Sequence, residues 1–92
     1  MRILGYIENT PYKVTVFKMN HKFTVKFETG SYELAFKLRE AENMQGMNDI
    51  KQFVDEDLVT SVKRRFHEMH RAALRAFAKL NKNSEDEFDD II

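Results

Sequence analysis

Two histidines on one helical turn, in His67-Glu68-Met69-His70, are the first place where this chain could do chemistry, since neighbouring imidazoles can share a metal or move a proton. The zinc-protease helix sets its histidines four apart with a glutamate base between them, whereas these are three apart and Glu68 points elsewhere. There is no Cys, and His21 is the one further His. The pair is therefore expected to be incidental, with no metal and no cofactor, and a pH-sensitive helix interface suits it better than a metal centre.

Other catalytic patterns are missing. Three glycines form no phosphate loop, and Ser31, Ser61 and Ser84 fall in a turn, on a polar helix face and in an acidic tail. Clustered carboxylates occur where helix capping or the tail already accounts for them. No catalytic residue is assigned, and a non-enzymatic protein is expected.

Two surfaces could instead bind. On a helix, Arg64, Arg71 and Arg75 fall within roughly 40° of one another, flanked by Arg65 and Lys79, a stripe able to grip phosphates. Glu68 is spaced to pair with Arg64 and Arg71. The acids Glu85, Asp86, Glu87, Asp89 and Asp90 could fold back on the stripe, although solubilising charge is the plainer role. The second surface is one face of a sheet carrying Leu4, Tyr6, Lys13, Thr15, Phe17, Met19, Lys22, Thr24, Lys26, Lys37 and Arg39, with Glu8, Glu28 and Glu33 among them. Aromatics between lysines suit single-stranded nucleic acid, bases stacking on Tyr6 and Phe17 while lysines neutralise phosphates. Packing or assembly through Leu4, Tyr6, Phe17 and Met19 is the plainer reading of that face.

The elements that would hold these residues are legible from pattern. Asp55 to Lys82 reads as one long amphipathic helix, with Leu58, Val62, Phe66, Met69, Ala73, Phe77 and Leu80 recurring in steps of three and four. Asp55 is the expected N-cap, Val54 and Val59 a hydrophobic staple, and Glu56 and Asp57 sit where the helix dipole favours anions. Lys79 and Lys82, with Asn81 and Asn83, suit its end.

The first forty residues read as four strands. Asn20-His21 and Thr29-Gly30 look like two-residue turns, because Asn tolerates and Gly permits a left-handed backbone. Pairing Met19 with Lys22 sets Val16 opposite Val25 and Val14 opposite Phe27. Pairing Glu28 with Ser31 sets Phe27 opposite Tyr32, Val25 opposite Leu34 and Phe23 opposite Phe36. A looser loop from Asn9 to Tyr12 pairs Glu8 with Lys13 and brings Ile3, Gly5 and Ile7 to the same apolar face. Glu33 to Glu40 contains helix formers, yet strict alternation of Tyr32, Leu34, Phe36 and Leu38 predicts a strand. Asn43 to Asn48 reads as a loop and Asp49 to Val54 as one helical turn.

The fold class that follows is α+β: a four-stranded antiparallel meander (ββββα) with one long C-terminal amphipathic helix on one face, residues 1–83 forming one domain and 84–92 an acidic, disordered tail. About 26 helical residues span roughly 39 Å, against a sheet about 15–20 Å wide, so the helix must overhang. Ala72, Ala73, Ala76, Phe77 and Leu80 keep that overhang apolar. Its expected use is a homodimer interface through Ala73, Ala76, Phe77 and Leu80.

Composition agrees with a small domain. Ninety-two residues bury only somewhat more than ~60% of the unfolded surface, and eight Phe, three Tyr and five Met supply bulky core. Without Cys, and with no apolar run near the roughly 18 residues that span a bilayer, a soluble cytoplasmic protein is expected, with no membrane partner. Net charge is zero but segregated: residues 61–82 hold seven Lys or Arg against Glu68 alone, and residues 83–92 hold five acids and no base.

The strand-strand-strand-strand-helix order resembles the modules of Pur-alpha-like and Whirly-like single-stranded nucleic-acid binders. This is a resemblance of topology over much of the chain, with no residue motif behind it, so it carries no functional residue across. The leading expectation is a self-associating interaction protein, with a protein partner possible. The alternative is a single-stranded nucleic-acid binder using Tyr6, Lys13, Phe17, Lys22, Lys26, Lys37 and Arg39, with Arg64, Arg71 and Arg75 on the helix.

Overall fold

Asn20 takes the left-handed backbone expected of it, φ 56°, and the two-residue turn it makes fixes the central hairpin. The computed structural model describes residues 1–80, in the order β1 (Arg2–Ile7), β2 (Lys13–Met19), β3 (Lys22–Glu28), β4 (Glu33–Arg39), α1 (Met47–Phe53) and α2 (Glu56–Leu80). The strands form one antiparallel sheet in sequence order, an α+β fold. The proposed end of the long helix at Asn81 to Asn83 and the acidic tail lie outside the described residues.

Met19 pairs with Lys22, Val16 with Val25 and Val14 with Phe27, as the turn requires. The next hairpin differs. Glu28 pairs with Glu33 rather than Ser31, so Phe27 faces Leu34, Val25 faces Phe36 and Phe23 faces Leu38. The four residues Thr29–Tyr32 form the loop, closed by Thr29 N–H donating to Tyr32 O at 3.0 Å, and Gly30 has no positive φ. A shift of two residues leaves every side chain on its face, so the apolar pattern fits both registers equally well.

β1 departs from expectation at one point. Ile7 pairs with Val14 and Gly5 with Val16, but the register then slips, and Ile3 lies opposite Phe17. This bulge exchanges the expected places of Ile3 and Leu4. Ile3 is exposed on the open face, while Leu4 packs against the core. At Gly5 a Cβ would stand 3.2 Å from the Met47 methyl, so the missing side chain lets α1 approach the strand.

The core lies between one sheet face and the two helices. Val14, Val16, Phe23, Val25 and Phe27 from the sheet meet Ile50 of α1, Val54, and Val62 and Phe66 of α2. The long helix covers one face as expected, and α1 shares that cover with it. The segment expected to give one turn is a seven-residue helix that supplies Ile50, fully buried. Gln45 N–H donates to Asp49 Oδ2 at 2.8 Å, fastening the start of α1.

At the start of α2 the expected cap is in place. Leu58 N–H donates to Asp55 Oδ1 at 2.9 Å, and Val54 and Val59 both join the core. The helix crosses the sheet at the end that carries the β1–β2 and β3–β4 loops. There Phe66 meets the Tyr12 ring edge-on at 5.1 Å, and Tyr32 reaches His70. The described residues span 54 by 27 by 19 Å. Among the described residues no helix is long and apolar enough to cross a membrane.

Candidate interaction surfaces

The apolar stripe of α2 continues beyond its support. Val62 and Phe66 are 1% and 5% exposed, and His70 is the last residue of the helix hydrogen-bonded to the sheet layer. From Arg71 to Leu80 no residue is buried. Ala73 and Phe77 are half-buried, Ala72 and Ala76 exposed, and Leu74 and Leu80 are 44% and 62% exposed. The four expected interface residues thus share one overhanging segment of about three turns. Leu74, on the border of the stripe, was not among the expected residues; its exposure adds it to the patch.

The basic side of α2 holds Arg64, Arg71, Arg75 and Lys79, all exposed. Glu68 does not pair with Arg64 or Arg71. Its Oε1 accepts from Arg65 Nη1 at 3.0 Å, three residues back. An i−3 and an i−4 partner are equally within reach of a helix side chain, and spacing alone does not choose between them.

On the open face of the sheet the register makes two cross-strand rows, Tyr6-Thr15-Lys26-Ala35 and Ile3-Phe17-Thr24-Lys37. Lys13, Lys22, Lys37 and Arg39 are exposed there, as are Ile3, Tyr6 and Met19. Phe17 is only half-exposed, and the Lys26 ammonium sits over its ring, 5.4 Å from the centroid, while reaching Glu28 at 3.6 Å. Tyr6, 53% exposed, is therefore the aromatic on this face that a base could reach most easily. Thr15, beside it, is buried.

The histidines separate. His70 Nδ1 lies 3.0 Å from the Tyr32 hydroxyl and its ring 6.0 Å from the Tyr32 ring, whereas His67 is exposed. Both line a shallow cleft of about 240 Å³ with Tyr12, Tyr32, Phe66 and the Thr29–Ser31 loop. This is below the roughly 300–1,000 Å³ usual for ligand sites. Burial lifts the Tyr12 phenol above its ordinary pKa of 10.0. A hollow of about 540 Å³ opens at the start of α2, where Asp55 is already committed to capping. Among the described residues no three His, Cys, Asp or Glu side chains are grouped to hold a metal.

One polar cluster was not foreseen. His21 Nδ1 and Lys18 Nζ contact the two Glu40 oxygens at 2.9 and 3.2 Å, and Glu40 N–H donates to His21 O at 2.7 Å. The hydrogen bond to His21, then that to Lys18, holds the Glu40 carboxyl below its ordinary pKa of 4.5. Lys18 Nζ also lies over the Phe23 ring, 5.4 Å from its centroid, so the cluster closes the hairpin end of the core. The three residues come from two turns and a strand, a convergence that no sequence spacing signals.

No family model matches the chain, and no curated protein or solved structure matches it significantly, so the topological resemblance to single-stranded nucleic-acid binders rests on element order alone.

Proposed function

We infer that this chain is a small non-enzymatic interaction protein of a reducing compartment, the cytoplasm, and that it self-associates through the overhang of α2. One observation carries the reading. Residues 71–80 keep apolar spacing after the sheet beneath them has ended, with Leu74 and Leu80 facing outward. An apolar helical face in water is stabilised by burial, and small residues such as Ala73 and Ala76 allow a second helix to come close. A second copy carries the same face, so a two-fold pairing covers both at once. Three turns make a small contact by the standard of obligate dimers, and association is expected to depend on concentration.

Sedimentation equilibrium of the full chain tests this. The wild type should approach twice the monomer mass as concentration rises, and Ala76→Glu should remain monomeric with an unchanged thermal midpoint at low concentration. A wild type that stays monomeric throughout, or an Ala76→Glu variant of unchanged dimer mass, would falsify the reading.

Single-stranded nucleic acid on the open sheet face is the second reading. Tyr6, Lys22, Lys37 and Arg39 favour it by their exposure. The Lys26 ammonium weighs against it, because a base stacking on Phe17 must first displace that contact.

A further inference from the structure

We propose that the basic stripe of α2, Arg64, Arg71, Arg75 and Lys79, is a sequence-independent binding surface for the phosphate backbone of duplex nucleic acid. The four side chains are exposed, and none takes part in an ion pair or hydrogen bond among the described residues. Three other cations are engaged, Lys18 by Glu40, Lys26 by Glu28 and Arg65 by Glu68, while Arg2, Lys13, Lys51 and Lys63 are unpaired among the described residues but scattered over the surface. The one acid within the stripe, Glu68, is thereby turned aside. Lys22, Lys37 and Arg39 on the sheet are unpaired as well, but that face also presents Glu28 and Glu33.

Geometry favours the helix. Arg71, Arg75 and Lys79 succeed one another at about 6 Å along the axis, and the line from Arg64 to Lys79 is roughly 22 Å long. A straight row of cations of that length matches a surface whose negative charges are dense and regular, about one per 1.7 Å of duplex axis. Thr60, Ala72 and Ala78 flank the row and leave room for a backbone to approach. The stripe has no aromatic residue, so it offers a single strand no stacking and a duplex no base readout. Duplex, with the higher charge density, is the occupant it suits.

This surface does not rest on self-association. Arg64, Arg71 and Arg75 stand roughly 160–180° around the helix from Ala73, and Lys79 about 120°, so a dimer formed through the Ala73 side leaves the arginines open and doubles them.

Fluorescence anisotropy of a labelled mixed-sequence duplex, titrated with the full chain at several salt concentrations, provides the test. Four phosphate contacts predict a slope of log affinity on log salt near about −3.6, or roughly a 100-fold loss between 50 and 200 mM. Arg71→Gln with Arg75→Gln should make that slope shallower by about 1.8, while Lys22→Gln with Lys37→Gln should leave it alone. A chain with Glu85, Asp86, Glu87, Asp89 and Asp90 changed to their amides is titrated in parallel. Binding that appears only in that chain and is abolished by the arginine changes still supports the site, with the acidic segment as its competitor. The proposal is overturned if neither chain binds duplex, if the arginine changes have no effect, or if a single strand binds more tightly and depends on Tyr6.

Discussion

The two halves of α2 carry the same pattern and meet different fates. In the first, Val62 and Phe66 enter the core beneath the sheet. In the second, Ala73, Phe77 and Leu80 repeat the same spacing with no sheet strand beneath them. Periodicity identifies which side of a helix avoids water; what covers that side depends on the length of the neighbouring layer. The sheet is four short strands wide and the helix has 25 residues, so the pattern outruns the support. A stripe that persists past its own domain therefore points to a surface that the fold alone does not explain.

The largest expected effect separates the halves directly. Phe66→Ala removes a buried ring that packs on Tyr12, and should cost about 3–5 kcal/mol, a large share of the roughly 5–15 kcal/mol that holds a small domain folded. Leu80→Ala, measured at a concentration where the chain is monomeric, should fall within about 0.5 kcal/mol of the wild type. Urea unfolding of both variants decides the matter. Equal costs would mean that the second half is packed as tightly as the first, and the contrast would fail.

What could be read beforehand divides along similar lines. Most local signals held, Asn20 at its turn, Asp55 at its cap and the alternation of β4, each depending on a few adjacent residues; the two-residue turn expected at Thr29-Gly30 did not, and became a four-residue loop. Facing sets of residues held as well, because a strand's period of two survives a two-residue slip between β3 and β4. Positions that depend on distant contacts did not. The bulge between Ile3 and Gly5 lies where Met47, more than forty residues away, packs close to Gly5, and Ile50 is central because α1 covers part of the sheet face beside α2. Of the candidate surfaces, the basic stripe follows from helix geometry and was legible, whereas the Lys26 contact that obstructs Phe17 required the sheet to be assembled.

A smaller effect sharpens the first half. Asp55→Ala leaves the Leu58 N–H without its side-chain acceptor and should cost about 1 kcal/mol. Because this end is docked through Val54, Val59 and Val62, the loss should appear in global stability, shifting the urea midpoint without changing the slope. A changed slope with an unchanged midpoint would mean that the first turn frays on its own, and that docking begins later in the helix.

The boundary between the halves is set by the Tyr32 hydroxyl on His70, and Tyr32→Phe probes it with the smallest expected change. The ring contact with His70 is retained and one part-buried hydrogen bond is lost, a cost of about 0.5–1.5 kcal/mol or less, since water can replace the hydroxyl. The informative quantity is where that cost is felt. Amide hydrogen exchange should quicken from His70 to Leu80, where no residue is buried among the described residues, and stay unchanged around Val62 and Phe66, which open only with the whole domain. Uniform quickening along α2 would make the helix one cooperative unit, and the division into a supported and an overhanging half would then describe its exposure but not its stability. Quickening confined to the overhang would mean that this segment is held from one end in the monomer, which is the condition under which a second copy contributes most to ordering it.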